Sequence, residues 1–235
     1  MTVAVLTTAG ACLLQCSRTP PPAATTTPPS AAATTSRTTH APTSTTSPTP
    51  AAPAVHPVSA AELGATWRPG CPVTPDQLRR VDIDYVGFDG RTHRGELIVH
   101  RDVVADVVAI FEQLRRIGYP IAKMRNVDRY PGAEDELSME DNNTSAYNCR
   151  PLPGSNTPSL HAFGRAIDVN PLINPYIDSR GHIEPATGGP YLDRTRTDAG
   201  LLHAGDPAVR AFTDRGWRWG GDWRTPKDYQ HFELR

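Results

Sequence analysis

The segment SLHAFGRAIDVNP, from Ser159 to Pro171, sets a histidine, a glycine and an aspartate at a spacing that can do chemistry. Ala166-Ile167-Asp168-Val169 reads as a buried strand, and a charge inside such a strand needs a bound partner. If the chain turns near Gly164, His161 and Asp168 converge on one cation. A nitrogen and an oxygen then lie about 2.0–2.2 Å from it, as zinc requires. The closing segment GWRWGGDWRTPKDYQHFELR offers a third ligand in His231, at the start of the last apolar run, with Asp228 three residues before it. Three ligands with a free fourth position form a catalytic rather than a structural zinc pattern. Asp228, close by but outside the ligand set, is placed to take a proton from water whose pKa the metal lowers towards about 7. The same spacings also suit a hydrogen-bonded core histidine and a capping aspartate, and spacing alone does not choose between the two readings.

These residues need elements to position them. Asp102–Gly118 carries apolar residues at Val103, Val107, Ile110, Phe111 and Leu114, the period of an amphipathic helix. Asp102 is suited to its start and Gly118 to its end. Pro207–Arg215 reads as a second, shorter helix with proline in its first turn. Strands are expected at Arg94–His100, Ile121–Arg125, Arg165–Asn170 and His231–Leu234. Two long stretches rich in Gly, Pro, Asn and Asp, 129–159 and 170–206, are expected as loops around one face, where long loops are often functional. The expected class is α+β: a small, mostly antiparallel sheet with one or two helices and long loops around a zinc cleft.

The chain has 235 residues and a net charge of -1, with no basic cluster, so nothing supports nucleic-acid binding. Residues 1–16, MTVAVLTTAGACLLQC, are uncharged and mostly apolar. They are short for a membrane span and resemble the apolar region of a secretory signal, without its usual basic start. Leu13-Leu14-Gln15-Cys16 loosely resembles a lipidation box, which would anchor Cys16 or Cys12 to a membrane. Residues 17–61 are Thr, Pro, Ala and Ser almost throughout, with Val55 and Val58 the only larger aliphatics. That composition cannot offset its ordering entropy, so a disordered linker is expected there, with the folded domain at 62–235. Export or attachment to the cell envelope follows, with a tethered monomer as the default.

Cys71 and Cys149 are the two cysteines of the folded part, and an even pair in an exported chain suggests a disulfide. Closing a loop of about 80 residues contributes on the order of 4 kcal/mol in the chain-entropy model. Two unlinked thiols are the alternative.

Ser159, His161, Gly164, Ala166 and Asp168, then Asn170-Pro171 and Asn174-Pro175-Tyr176, resemble the VanY-type family of zinc peptidases. So do Trp219-Gly220-Gly221-Asp222-Trp223 and Asp228-Tyr229-Gln230-His231-Phe232-Glu233. That family includes D-alanyl-D-alanine carboxypeptidases and L-alanyl-D-glutamate endopeptidases, and the motifs lie closer to the endopeptidase branch. The resemblance implies a hedgehog/DD-peptidase-like fold and zinc on His161, Asp168 and His231. It implies Asp228 as general base, Arg125 as the residue that polarises the scissile carbonyl, and the stem peptides of peptidoglycan as substrate. Ser159 and Trp219 are expected at the substrate. The competing expectation is a wall-binding module that keeps the metal without catalysis.

Overall fold

The computed structural model describes residues 51–235; the expected signal segment and most of the expected linker lie outside them. The folded part begins earlier than composition implies. Ala54–Pro57 forms strand β1, and Ala60–Leu63 forms a one-turn helix, α1, capped by Ser59 in a reciprocal bond with Glu62. The linker boundary expected at 61 is therefore corrected to one before β1. The reason is that β1 needs no core of its own. It adds an edge to strand β2 (Leu78–Val86) through the backbone, while Val58 and Leu63 pack with Val73, Leu78, Ile98 and Tyr147.

β2 and β3 (Thr92–His100) form a nine-residue antiparallel hairpin. Its loop closes through Gly87 N–H to Arg91 C=O at 2.8 Å, with Gly90 at positive φ. β2 alternates, turning Val81, Ile83 and Tyr85 to the main core and Arg80 and Asp82 away. Helix α2 (Val104–Arg116) lies on this layer and buries Val107, Ile110, Phe111 and Leu114, the stripe its period dictates. A 3-10 turn at Arg101–Val103 leads into it, and Gly118 takes positive φ just beyond its end.

The expected strand at 121–125 shortens to β4 (Lys123–Met124), paired in parallel with β5 (Asn143–Thr144). Pairing stops there because the Arg125 N–H turns to the Asn143 side chain. Between them lies a short helix, α3 (Asp135–Glu140), inside the stretch expected as loop. β6 (Ala166–Asp168), β7 (Tyr176–Ile177), β8 (Ile183–Glu184), helix α4 (Pro207–Thr213), β9 (Arg218–Trp219), β10 (Lys227–Asp228) and β11 (His231–Glu233) complete the fold. The sheets are β1-β2-β3, β10-β7-β8, β6-β11-β9 and the parallel pair β4-β5. The class is α+β with mostly antiparallel pairing, distributed over four small sheets rather than one. Phe232 at the centre of β11 stacks on Phe212 of α4 with ring centroids 3.8 Å apart, so the last strand is held against the main core. Cys71 and Cys149 are joined by a disulfide. No helix of the described residues is long and apolar enough to cross a membrane.

Candidate metal centre

The turn expected near Gly164 is present. Ser159 caps a short 3-10 helix, Leu160–Phe163, through its Oγ and the His161 N–H. Gly164 ends that helix at φ 65°, and a Cβ there would come within 2.6 Å of the His100 nitrogen, so only glycine fits. The chain then enters β6. Antiparallel pairing with β11 sets Asp168 opposite His231, Ile167 opposite Phe232 and Ala166 opposite Glu233. Alternation sends Ile167 and Phe232 into the core, and Asp168, His231 and Glu233 to the other face.

His161, Asp168 and His231 meet there, all buried, each with one ligand atom within 4.8 Å of the others'. His231 Nδ1 lies 3.0 Å from Asp168 Oδ1, His161 Nε2 lies 3.1 Å from Asp168 Oδ2, and the two nitrogens are 3.2 Å apart. Adjacent ligands of tetrahedral zinc lie about 3.3–3.6 Å apart at ordinary bond lengths. The cluster is slightly tighter because its members hydrogen-bond one another. His161 donates from Nδ1 to the Ala146 carbonyl at 2.5 Å, which turns its Nε2 inward. His231 turns its Nε2 towards Glu233 Oε2 at 3.5 Å and so presents Nδ1. Backbone carbonyl and carboxylate partners of this kind orient metal-binding histidines. The donor set fits zinc.

Electrostatics tie the three groups to one another. Burial works against a charge on Asp168, yet His161 and His231 hold its carboxyl far below the usual range. Burial also disfavours charge on His231, but hydrogen bonds to Asp168 and Glu233 push it up to about 10. Asp168 is thus a buried anion held by its two histidines. Asp228 behaves oppositely, because burial pushes it up to about 7 against the pull of His231. Its Oδ1 is sealed from solvent and has no hydrogen-bond partner among the described residues. β10 places Asp228, and a Cβ on Gly220 would come within 2.6 Å of the Asp228 carbonyl oxygen, so that close passage requires glycine.

The cluster and Asp228 line a cleft of about 490 Å³, together with Ser159, Arg150, Trp223, Gln230 and Glu233. Two expected site residues differ from the reading of the sequence. Arg125 is exposed and lines a separate cleft with Arg80, Arg94 and Arg129; β4 ends before it and directs it away from the cluster. The arginines lining the cleft with the cluster are Arg150 and Arg235; Arg150 is paired with Asp135 at 2.7 Å and lies 3.9 Å from Asp168. Trp219 is a core residue, donating from Nε1 to the Tyr229 carbonyl; the tryptophan facing the cleft is Trp223, 5.4 Å from the His231 ring. The signal for Arg150 was its place directly after Cys149, since the disulfide fixes the segment that also carries Ala146. Ser159 lines the cleft, with its hydroxyl engaged in the cap. His93, His100, His182 and His203 each face a nearby carboxylate outside the cluster.

Residues 153–234, about a third of the chain, match a family model described as D-alanyl-D-alanine carboxypeptidase. The matched segment contains His161, Asp168, Asp228 and His231; Arg125 and Arg150 lie outside it. No curated protein and no solved structure matches the chain.

Proposed function

We propose that this protein is an exported zinc peptidase that hydrolyses a bond in the peptide stems of peptidoglycan. The observation that carries the reading is the buried His161, Asp168 and His231 cluster, open to a cleft, with the unpartnered Asp228 carboxylate on the same wall. A peptidase match over the segment holding all four supports it.

Zinc on those three residues would supply Lewis acidity that lowers the pKa of water towards about 7 and polarises a carbonyl. Asp228 accepts the proton of the attacking water and returns it to the departing amine. A carboxyl raised towards neutrality suits both transfers, since it neither holds nor releases the proton too strongly. Arg150 takes the role that the family resemblance gave to Arg125, facing the carbonyl oxygen as negative charge grows on it. Trp223 and Pro226 wall the cleft beside His231.

The motifs lie closer to the endopeptidase branch, whereas the matched family model is described as a D-alanyl-D-alanine carboxypeptidase. The cations of the cleft, Arg150 and Arg235, already face Asp135 and Glu233 at 2.7 and 3.1 Å. Arg150 nevertheless keeps its Nε without a partner among the described residues, free to meet a substrate oxygen. On the motifs alone we favour an L-alanyl-D-glutamate endopeptidase, acting outside the cytoplasm, where a disulfide persists. Incubating zinc-loaded protein with muropeptides and weighing the products tests this. Internal fragments are expected; release of a single terminal alanine would make it a carboxypeptidase, and intact muropeptides would end the peptidase reading.

A further inference from the structure

We propose that Gln230 and Trp223 form a main-chain clamp for the bound peptide, Gln230 accepting a substrate N–H and Trp223 donating to a substrate carbonyl. The clamp rests on the reading of the cleft as a peptide site, and it assigns the two residues that hold the substrate's backbone.

Both residues line the metal cleft. Gln230 is 2% exposed, and its Oε1 is sealed from solvent without a hydrogen-bond partner among the described residues. The Trp223 indole nitrogen is in the same condition. A buried polar atom left unpaired costs about 1–3 kcal/mol, and most such atoms in folded proteins find partners. Besides Asp228 Oδ1 and Arg150 Nε, which the proposed reaction uses, one acceptor and one donor are left over on residues of the same cleft. A peptide backbone offers the complement, one N–H and one C=O for each ordinary residue.

The backbone that carries the two groups is held in place. The Gln230 carbonyl accepts the Val169 N–H at 3.0 Å, and the preceding Tyr229 carbonyl accepts from Trp219 Nε1 at 2.8 Å. Trp223 closes the turn from Gly220 through its own N–H at 3.1 Å, and its ring packs beside His231. Neither side chain titrates at ordinary pH, so neither can serve as the acid or base. Their contribution is position. A site that hydrogen-bonds a substrate N–H discriminates against an analogue lacking it. The expected ligand is therefore an amide-linked peptide in preference to its ester counterpart.

The test measures binding by calorimetry, with turnover stopped by Asp228→Ala in zinc-loaded protein. The probes are a stem pentapeptide and a series of analogues, each replacing one amide N–H by an ester oxygen. In this parent, one ester should bind about 5- to 150-fold more weakly than the amide, the range expected for leaving a buried acceptor unpaired. Adding Gln230→Met should abolish that difference while zinc content holds, and Gln230→Glu, which keeps an acceptor, should retain it. Trp223→Phe should weaken the amide and every ester alike. Equal binding of all esters and the amide to the parent overturns the Gln230 role and needs no folded variant. A Gln230→Met protein that still discriminates overturns it too. Unchanged binding in Trp223→Phe removes the tryptophan. Wild-type protein that binds the pentapeptide without cutting it sinks the peptidase reading and leaves the clamp; no binding at all sinks both.

Discussion

His231 stands directly across the β6–β11 pair from Asp168, and His161, seventy residues away in sequence from His231, closes on both from the turn before β6. Two of the three proposed ligands are thus set by strand register and the third by a capped turn. One zinc ion per chain is expected by elemental analysis of the folded protein, with His161→Ala and His231→Ala each abolishing stoichiometric uptake. Because Asp168 and Glu233 raise His231 to about 10, its imidazole carries a proton at neutral pH until metal displaces it. Zinc affinity should then rise up to about tenfold per pH unit below that value, as expected when one proton leaves per ion bound. Titration at several pH values checks the slope.

Glu233 is buried, faces His231, and is kept below its usual pKa first by that hydrogen bond. Glu233→Gln should lower zinc affinity or activity about 10- to 100-fold, the range for partners that orient a metal-bound histidine. Competition with a chromophoric chelator would read the change.

Asp228→Ala should retain zinc and lose about 10²- to 10⁴-fold in kcat, the usual contribution of a positioned acid–base group. The pH profile carries a sign. Asp228 works as a base only when ionised, and burial raises its pKa from 3.8 to about 7. Activity should therefore climb with pH through a limb above the ordinary aspartate range; a bound cation favours the ionised form and draws the limb below about 7. A limb near 3.8 in kcat/KM would count against Asp228 as the base.

Arg150 and Arg125 separate the two placements of the catalytic arginine. Arg150→Lys keeps the charge but loses the planar fork that holds Asp135, and should lower kcat/KM about tenfold or more. Arg125→Ala, in its separate cleft, should leave cleavage of a soluble muropeptide within about twofold, as surface changes usually do. The reverse pattern would return the role to Arg125.

Cys71 and Cys149 tie the start of the domain to the segment that carries Ala146, the carbonyl partner of His161, and Arg150. Removing the bridge with Cys71→Ser and Cys149→Ser together should lower stability on the order of 4 kcal/mol. A urea melt with and without zinc measures it.

The cluster of His161, Asp168 and His231 was legible because it depends on residue type at short spacing: His161 to Asp168 spans one turn and one strand entry, and Asp228 to His231 spans two short strands. The helix at Val104–Arg116 was legible for the same reason, since its stripe repeats within itself. β2 was not read, although Val81, Ile83 and Tyr85 alternate with charged residues; the arginines and aspartates between them lowered its apolar content. β1 was hidden because its stability comes from an edge partner far along the chain. Arg125 and Trp219 show the limit most clearly. Which arginine and which tryptophan line the cleft with His161, Asp168 and His231 is decided by where β4 stops and by which ring the core accepts, and both are long-range facts.

β11 is three residues long, and its middle ring is seated on Phe212 while its two outer side chains reach the metal cleft. A single amino acid inserted or deleted between Asp228 and Glu233 would exchange those faces, driving an imidazole into the oil and a phenyl ring out to the water. A length change in the turn before β6 would displace His161, whereas one in the stretch before α4 carries no such consequence. Natural variants of this chain should therefore vary in loop size around the cleft while the spacing of its last eight residues stays constant.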